Sequence, residues 1–346
     1  MAEPVESPQR RALVTGCAGF IGHSVTKALL DAGWRVVGID AMTDYYDPTL
    51  KKARLSTLSG RDGFDFVPGK IEDTDVLESL VNESRPEVIV HLAAQAGVRF
   101  SIDAPESYVQ ANIVGTFRVL EAARAHPPAH MLLASTSSAY GANSTFPYRE
   151  TDKADTPLSF YAATKKATEA MAHSYAHLYD LPTTMFRFFT VYGPWSRPDM
   201  APWKFTQAAF EGRTIDVYNH GQMARDFTFI DDLTEVLTRL IDAVPPHPTS
   251  GEVADKGDSL SPVAPFRVVN IGNSEPIELL DFIAAIELAT GRQLNKRFLP
   301  MQPGDVHRTW ADTRLAQKLT GYRSSTPVSK GVAAFVEWFR QYHGIG

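Results

Sequence analysis

Cys17 is the only cysteine in the chain, and a lone thiol excludes an intramolecular disulfide and any thiolate cage for a metal. Its scarcity agrees with a reducing compartment, so a cytoplasmic setting is expected. Long hydrophobic runs are missing too. None approaches the roughly 18 apolar residues of a membrane helix, and residues 1–11 are polar and prolyl, without the apolar centre of a secretory signal. No membrane partner is expected. Excess positive charge is likewise absent: the formal net charge is −6, which leaves no electrostatic footprint for nucleic acid. No internal repeat is found. What remains is an ordinary globular composition, 44% hydrophobic and 21% charged. At 346 residues it calls for one large domain with a substantial appendage, or two domains sharing strands.

From Arg11 the chain reads as an apolar run (12–15), a glycine turn (16–22), an amphipathic helix (24–32) and a second apolar run (35–39), which is a βαβ unit. Further buried strands are predicted at 64–68, 88–92, 131–135 and 183–188, with helical periodicity between them. That alternation predicts an α/β fold with a parallel, doubly wound sheet. After Tyr192 the pattern changes to proline-rich connections, short strands near 215–218 and 268–271, and helices at 279–290 and 332–342. The expected division is a dinucleotide-binding unit over 11–187 with later interleaved segments at about 226–245, a smaller, mainly substrate-binding α/β unit over 188–346, and a flexible tail over 1–10. The aperiodic stretch 245–265, rich in Pro, Ser, Gly and Asp, is expected to be a mobile surface loop.

Gly16, Gly19 and Gly22 follow a strand and open a helix. Gly16 permits the tight turn, Gly19 lets a pyrophosphate approach the backbone, and Gly22 lets the helix pack closely on the sheet. Asp40 ends the next strand, where a carboxylate accepts hydrogen bonds from both ribose hydroxyls and repels a 2′-phosphate, favouring NAD over NADP. Cys17 needs no reactive role in that turn; a small apolar residue suits it.

Tyr161 and Lys165 stand at i and i+4, on one helical face. A free phenol ionises near pKa ~10, but a neighbouring ammonium and an oxidised nicotinamide favour its anion, so Tyr161 is a candidate base for a hydroxyl proton. Upstream, a strand ends in the hydroxyl cluster Thr136, Ser137 and Ser138, and Thr136 is the chosen partner for the substrate oxygen. His173 and His177 share helical spacing, but no Glu follows His173 and no third ligand is evident, so a surface or interface role is expected and no metal. Arg308, beside His307, is left without a role.

These residues together resemble the extended short-chain dehydrogenase/reductase family: the loop Thr15-Gly16-x-x-Gly19-Phe20-Ile21-Gly22, His91-Leu92-Ala93-Ala94, Asn112, the hydroxyl cluster, and Tyr161 with Lys165. Coverage runs from Arg11 to about Tyr342. Within the family, the segments 94–101, 44–48 and 187–200 are most similar to the UDP-glucuronate 4-epimerase branch. The resemblance implies a Rossmann fold, NAD as cofactor, a UDP-sugar as substrate, and a homodimer built through helices flanking the sheet. It implies Thr136, Tyr161 and Lys165 as the catalytic set, with Phe20, Ile21, Ile71, Leu92, Ala93 and Ala94 beside the glycines and Asp40 at the cofactor. Arg99, Ser101, Ser137, Ser138, Thr190 and Arg197 are implied near the sugar, Arg225 at the diphosphate and Asp305 at the uridine ribose. Two positions depart from the family pattern. Lys70 stands where relatives often carry an aspartate toward adenine, and Ser196 replaces the commoner glycine before Arg197.

Implied chemistry is epimerisation at C4. Hydride loss from C4 of a glucuronate makes a β-keto acid prone to lose carbon dioxide. Related decarboxylases and 4,6-dehydratases carry an acidic residue after the strand-end hydroxyl; here Ser137 and Ser138 occupy that region, and neutral hydroxyls can hold the carboxylate away from overlap with the ketone. The competing readings are a UDP-glucose 4-epimerase, a UDP-glucuronate decarboxylase and, from another class, a non-catalytic NAD-binding module.

Overall fold

A computed structural model describes residues 9–250, 254–302 and 304–346 of the chain. Its strands, in chain order, are β1 (Arg11–Thr15), β2 (Arg35–Asp40), β3 (Phe64–Pro68), β4 (Val88–His91), β5 (His130–Thr136), β6 (Thr183–Phe188), β7 (Thr190–Tyr192), β8 (Ile215–Val217), β9 (Ala224–Phe229), β10 (Phe266–Ile271), β11 (Pro276–Glu278) and β12 (Lys296–Phe298). Seven make one parallel sheet in the order β10-β6-β5-β4-β1-β2-β3. Every residue of β4 and β5 is buried, as expected where helices cover both faces of a parallel sheet. The doubly wound α/β reading is therefore correct.

The helices are α1 (Phe20–Asp31), α2 (Pro48–Ser56), α3 (Thr74–Ser84), α4 (Phe100–Asp103), α5 (Pro105–Tyr108), α6 (Gly115–Ala125), α7 (Phe160–Tyr179), α8 (Ala201–Glu211), α9 (Ile230–Leu240), α10 (Leu279–Thr290), α11 (Arg314–Thr320) and α12 (Val328–His343). Alternate strand residues serve two cores. Leu13, Ile39 and Ile89 pack with Leu77, Leu120 and Ala172 of α3, α6 and α7. Ala12, Val14 and Val36 pack with Val25 and Leu29 of α1 and Leu233 and Leu237 of α9. This second core runs on without a break into Phe227, Phe282, Phe335 and Phe339 of the later elements. The smaller part is thus seated on one face of the large sheet by continuous apolar burial, the main driving force for such docking.

The later elements differ from expectation in one respect. The strand expected at 268–271 within the smaller unit is β10, all six residues buried, and it pairs with β6 as the edge of the main sheet. Its near-continuous apolar character is that of a doubly covered strand, but its distance along the chain hid its partner. Instead, β7, β9 and β11 form a separate three-stranded sheet, and β8 pairs with β12. Helix α9 packs on α1. Residues 1–8 of the expected tail lie outside the described residues, but Gln9 donates to Gly33 O at 2.7 Å, and Arg10 pairs with Asp242 at 2.9 Å and covers the Trp34 ring at 4.0 Å. Part of 245–265 is also tied down: Arg267 forks onto Asp258 at 2.9 and 3.1 Å. His173 hydrogen-bonds with Ser261 at 2.8 Å, and His177 donates to Val263 O at 2.6 Å.

Candidate active site

Along the carboxyl ends of the parallel strands lies a cleft of about 430 Å³ that holds both groups of residues singled out above. Gly16 turns there with φ +75° and donates to Ile39 O at 2.7 Å. A Cβ at Gly22 would stand 2.0 Å from Gly16 O, so only hydrogen lets α1 pack this near the turn. Helix α1 begins with no side-chain cap, which leaves its first N–H groups for an anion. Cys17 is buried and desolvation pushes its thiol far above the ordinary value. It is inert filling. Asp40, almost entirely buried, accepts from Ala18 N (3.2 Å), Met42 N (2.8 Å) and Lys51 Nζ (3.1 Å). Phe20, Ile21, Ile71, Leu92, Ala93 and Ala94 all line the cleft. Lys70 is exposed, while Glu72, two residues on, faces the cleft.

Thr136, Ser137, Ser138, Tyr161 and Lys165 form the cleft's other wall. Helix α7 starts at Ser159, whose hydroxyl accepts from Ala162 N at 3.1 Å. That cap sets Tyr161 and Lys165 in the first turns, facing the end of β5. Burial pushes the Tyr161 phenol above its ordinary value, while the Thr136 hydroxyl and the Arg197 guanidinium pull it down. Burial also takes Lys165 down to about 8, opposed by Glu169. To the ammonium and oxidised nicotinamide expected to favour the phenolate, the structure adds two groups of the protein itself, the Thr136 hydroxyl first and the Arg197 guanidinium second. His91 stays neutral at about 3, through burial and the Lys165 charge; it hydrogen-bonds Thr15 at 2.7 Å and Thr116 at 3.1 Å. Asn112 lies in a π-helical turn, Val109–Val114. Its amide accepts from Gln95 N (2.8 Å) and donates to Thr164 Oγ1 (3.0 Å), joining the β4 loop to α7.

Thr190 and Arg197 border the same wall. Arg197 forks onto Asp199 with two 3.1 Å bonds, and Tyr45 donates to Asp199 at 3.2 Å. Three expected sugar or nucleotide residues gather elsewhere. Arg99 pairs with Asp305 at 3.2 Å and covers the Tyr218 ring at 4.9 Å, and the Asp305 charge reaches Arg225. Arg99 thus joins the group expected at the nucleotide, outside the sugar wall. Ser101 is buried and donates to Val98 O at 2.6 Å, a local turn bond that uses its one hydroxyl proton and leaves it only as an acceptor.

Sequence reasoning missed Lys51, Arg54 and Glu169. Asp47 caps α2 by accepting from Thr49 N at 2.9 Å, with Pro48 in the first turn. That signature was readable, and it places Lys51 and Arg54 three apart on one face. Glu169 continues the spacing of Tyr161 and Lys165 by another four residues, a signal left unused.

A family model described as GDP-mannose 4,6 dehydratase matches residues 13–335. A probable UDP-glucuronate 4-epimerase of Rhizobium meliloti is 54% identical over 96% of this chain and 97% of its own. UDP-glucuronate 4-epimerase 4 of Arabidopsis thaliana is 42% identical over 96% of this chain and 75% of its own. Among solved structures, the Bacillus cereus UDP-glucuronic acid 4-epimerase, in complex with UDP-glucuronic acid and NAD, superposes with a TM-score of 0.84 at 33% identity, covering 96% of this chain and 99% of that one. The glycine turn, the strand-end carboxylate and the hydroxyl, tyrosine and lysine wall thus agree with what these comparisons give independently: the chain belongs to the extended short-chain dehydrogenase/reductase family, in the branch of the UDP-glucuronate 4-epimerases.

Proposed function

We propose that the protein interconverts UDP-glucuronate and UDP-galacturonate by NAD-dependent epimerisation at C4. The observation that carries this reading is the shared cleft: Gly16, Gly19, Gly22 and Asp40 line it together with Thr136, Tyr161 and Lys165, and Arg197 borders the same wall. Residues fit the cofactor on physical grounds. The uncapped start of α1 and the bare backbone at Gly19 suit a pyrophosphate, and Asp40 suits a ribose diol. NAD held by Gly16, Gly19, Gly22 and Asp40 would supply reversible hydride acceptance for C4.

The chain's own residues do the rest. Thr136 holds the C4 oxygen and Tyr161 takes its proton, then gives it back. Lys165, kept charged at neutral pH, favours the phenolate electrostatically. Ser137, Ser138, Thr190 and Arg197 bind the C5 carboxylate and hold its C–C bond out of overlap with the C4 ketone, so the carboxyl survives while the ketosugar turns over. Arg225 and Arg99 take the diphosphate, and Asp305 the uridine ribose, once substrate displaces the Arg99–Asp305 pair.

The protein acts as a homodimer in this reading, supported by exposed Leu158, Phe160, Leu178 and Tyr179 on and beside α7. No helix among the described residues is long and apolar enough to cross a membrane. The buried single thiol supports a cytoplasmic setting.

Purified protein is incubated with UDP-glucuronate, UDP-glucose and UDP-xylose in turn and the sugars followed by NMR. Galacturonate from the first is expected. A pentose as the sole product, or conversion of the neutral hexose alone, would sink the assignment.

A further inference from the structure

Trp195 carries φ +66°, a conformation that a bulky side chain keeps only where its surroundings over-determine it. Two residues further on stands Arg197. The constraint has a source in α2. Arg54 is fully shielded from solvent and makes five hydrogen bonds, all to uncharged oxygens. Its Nε and Nη2 donate to Trp195 O at 3.1 and 2.6 Å, and Nη2 also reaches Ser196 O at 3.3 Å. Its Nη1 donates to Ala18 O at 3.1 Å and to Tyr46 Oη at 2.7 Å.

A buried guanidinium with only neutral acceptors is costly. What it supplies is direction: a planar fork with five fixed donors. Ala18 belongs to the glycine turn, whereas Trp195 and Ser196 lead into Arg197. One side chain therefore bolts the arginine loop to the cofactor turn. On its far side, the Trp195 ring is packed by His23 (5.4 Å), Trp338 (5.1 Å) and Tyr342 (5.8 Å). Ser196 is wholly buried and its hydroxyl finds no partner among the described residues, so it adds no anchor of its own.

We propose that Arg54 is a positioning residue for product fidelity: by locking the Trp195 and Ser196 carbonyls to the Ala18 carbonyl, it fixes Arg197 where the sugar carboxylate is held out of line with the C4 ketone. This rests on the reading of Arg197 as a carboxylate ligand. When the lock slackens, the carboxylate rotates into overlap. The C5–C6 bond then breaks, its electron pair passes into the C4 carbonyl as an enolate, carbon dioxide leaves, and C5 takes a proton from solvent. Release of the 4-ketopentose leaves the hydride on the cofactor, one reduced nicotinamide for each carboxyl lost.

The test compares Arg54→Lys, Tyr46→Phe and Arg197→Lys, each with added NAD and UDP-glucuronate, scoring pentose against galacturonate by NMR and reduced cofactor by absorbance. Arg54→Lys keeps charge and reach but loses the fork. Its pentose fraction is expected to rise, and its kcat for epimerisation to fall, each on the order of tenfold, with KM little changed. Tyr46→Phe removes one acceptor and leaks less, in the same direction; it decides alone if Arg54→Lys does not fold. Leakage from Arg197→Lys with wild-type partition in the other two overturns the role of Arg54 and leaves the site reading standing. Wild-type partition in Arg197→Lys overturns the reading on which both depend.

Discussion

Arg187 grips Glu169 through two parallel hydrogen bonds of 2.8 Å, and both side chains are almost wholly buried. Glu169 also accepts from Ser135 at 2.6 Å and from Lys166 at 2.8 Å. Burial works against the Glu169 charge, but Arg187 and Lys166 overcome it and hold the carboxyl down to about 2. This pair fastens β5 and β6 to α7 directly beneath Lys165.

Glu169→Gln leaves Arg187 as an unpaired buried cation, and a loss of about 3 kcal/mol or more is expected in chemical denaturation. The pH dependence has a definite sign. A depressed carboxyl stabilises the fold above its unfolded value of roughly 4.3 and loses that contribution as pH falls toward the folded value. The wild type should therefore lose stability steeply between those limits, and the variant should show a flatter acid limb. Equal acid limbs would remove the pair from the stability argument.

Lys165→Met should make the protein more stable and inactive. Folding takes the Lys165 ammonium from 10.5 down to about 8, which costs about 3 kcal/mol at neutral pH. Between those two values the unfolded chain holds more protons, so wild-type stability rises with pH and the advantage of the variant shrinks. Thermal melts at neutral pH and in mild alkali check this. A variant less stable at neutral pH would contradict the burial cost.

Tyr161→Phe keeps the ring that packs edge-on against Tyr108 at 6.0 Å and removes only the acid–base oxygen. Fold and bound NAD should persist while turnover falls by roughly 10²- to 10⁴-fold. Near-normal turnover with a normal melting curve would end the assignment.

Asp40→Ala deletes the acceptor of three hydrogen bonds and frees Lys51, which stands 3.1 Å away. NAD affinity should fall by about tenfold or more, and NADP, whose 2′-phosphate then meets a cation instead of a carboxylate, should gain relative to NAD. Titration of both dinucleotides reads the ratio. An unchanged preference would show that the diol is recognised elsewhere.

Strand and helix periodicity made the large sheet legible as far as Phe188, because its first five strands are each followed by helical sequence and the sixth is itself an apolar run. Glycine spacing, the strand-end Asp40 and the Tyr161–Lys165 register were legible for the same reason: they are local. Long-range pairing was not. The seventh run, Phe266–Ile271, carries no mark of its neighbour β6. The site's supporting residues escaped because their partners are backbone carbonyls, as with Arg54, or sit on another element, as with Arg187 for Glu169. Charge balance was hidden as well: spacing brings an ammonium beside a phenol, but only burial reveals that both groups are pushed toward neutrality.

The seventh strand of the sheet, β10, follows β6 by more than seventy residues, with the smaller unit's β7, β8 and β9 threaded between. During synthesis, β6 therefore waits as an open edge until residue 271 has left the ribosome, presenting unpaired N–H and C=O groups to any extended chain nearby. Nascent fragments ending inside that interval are the species most prone to stick to one another.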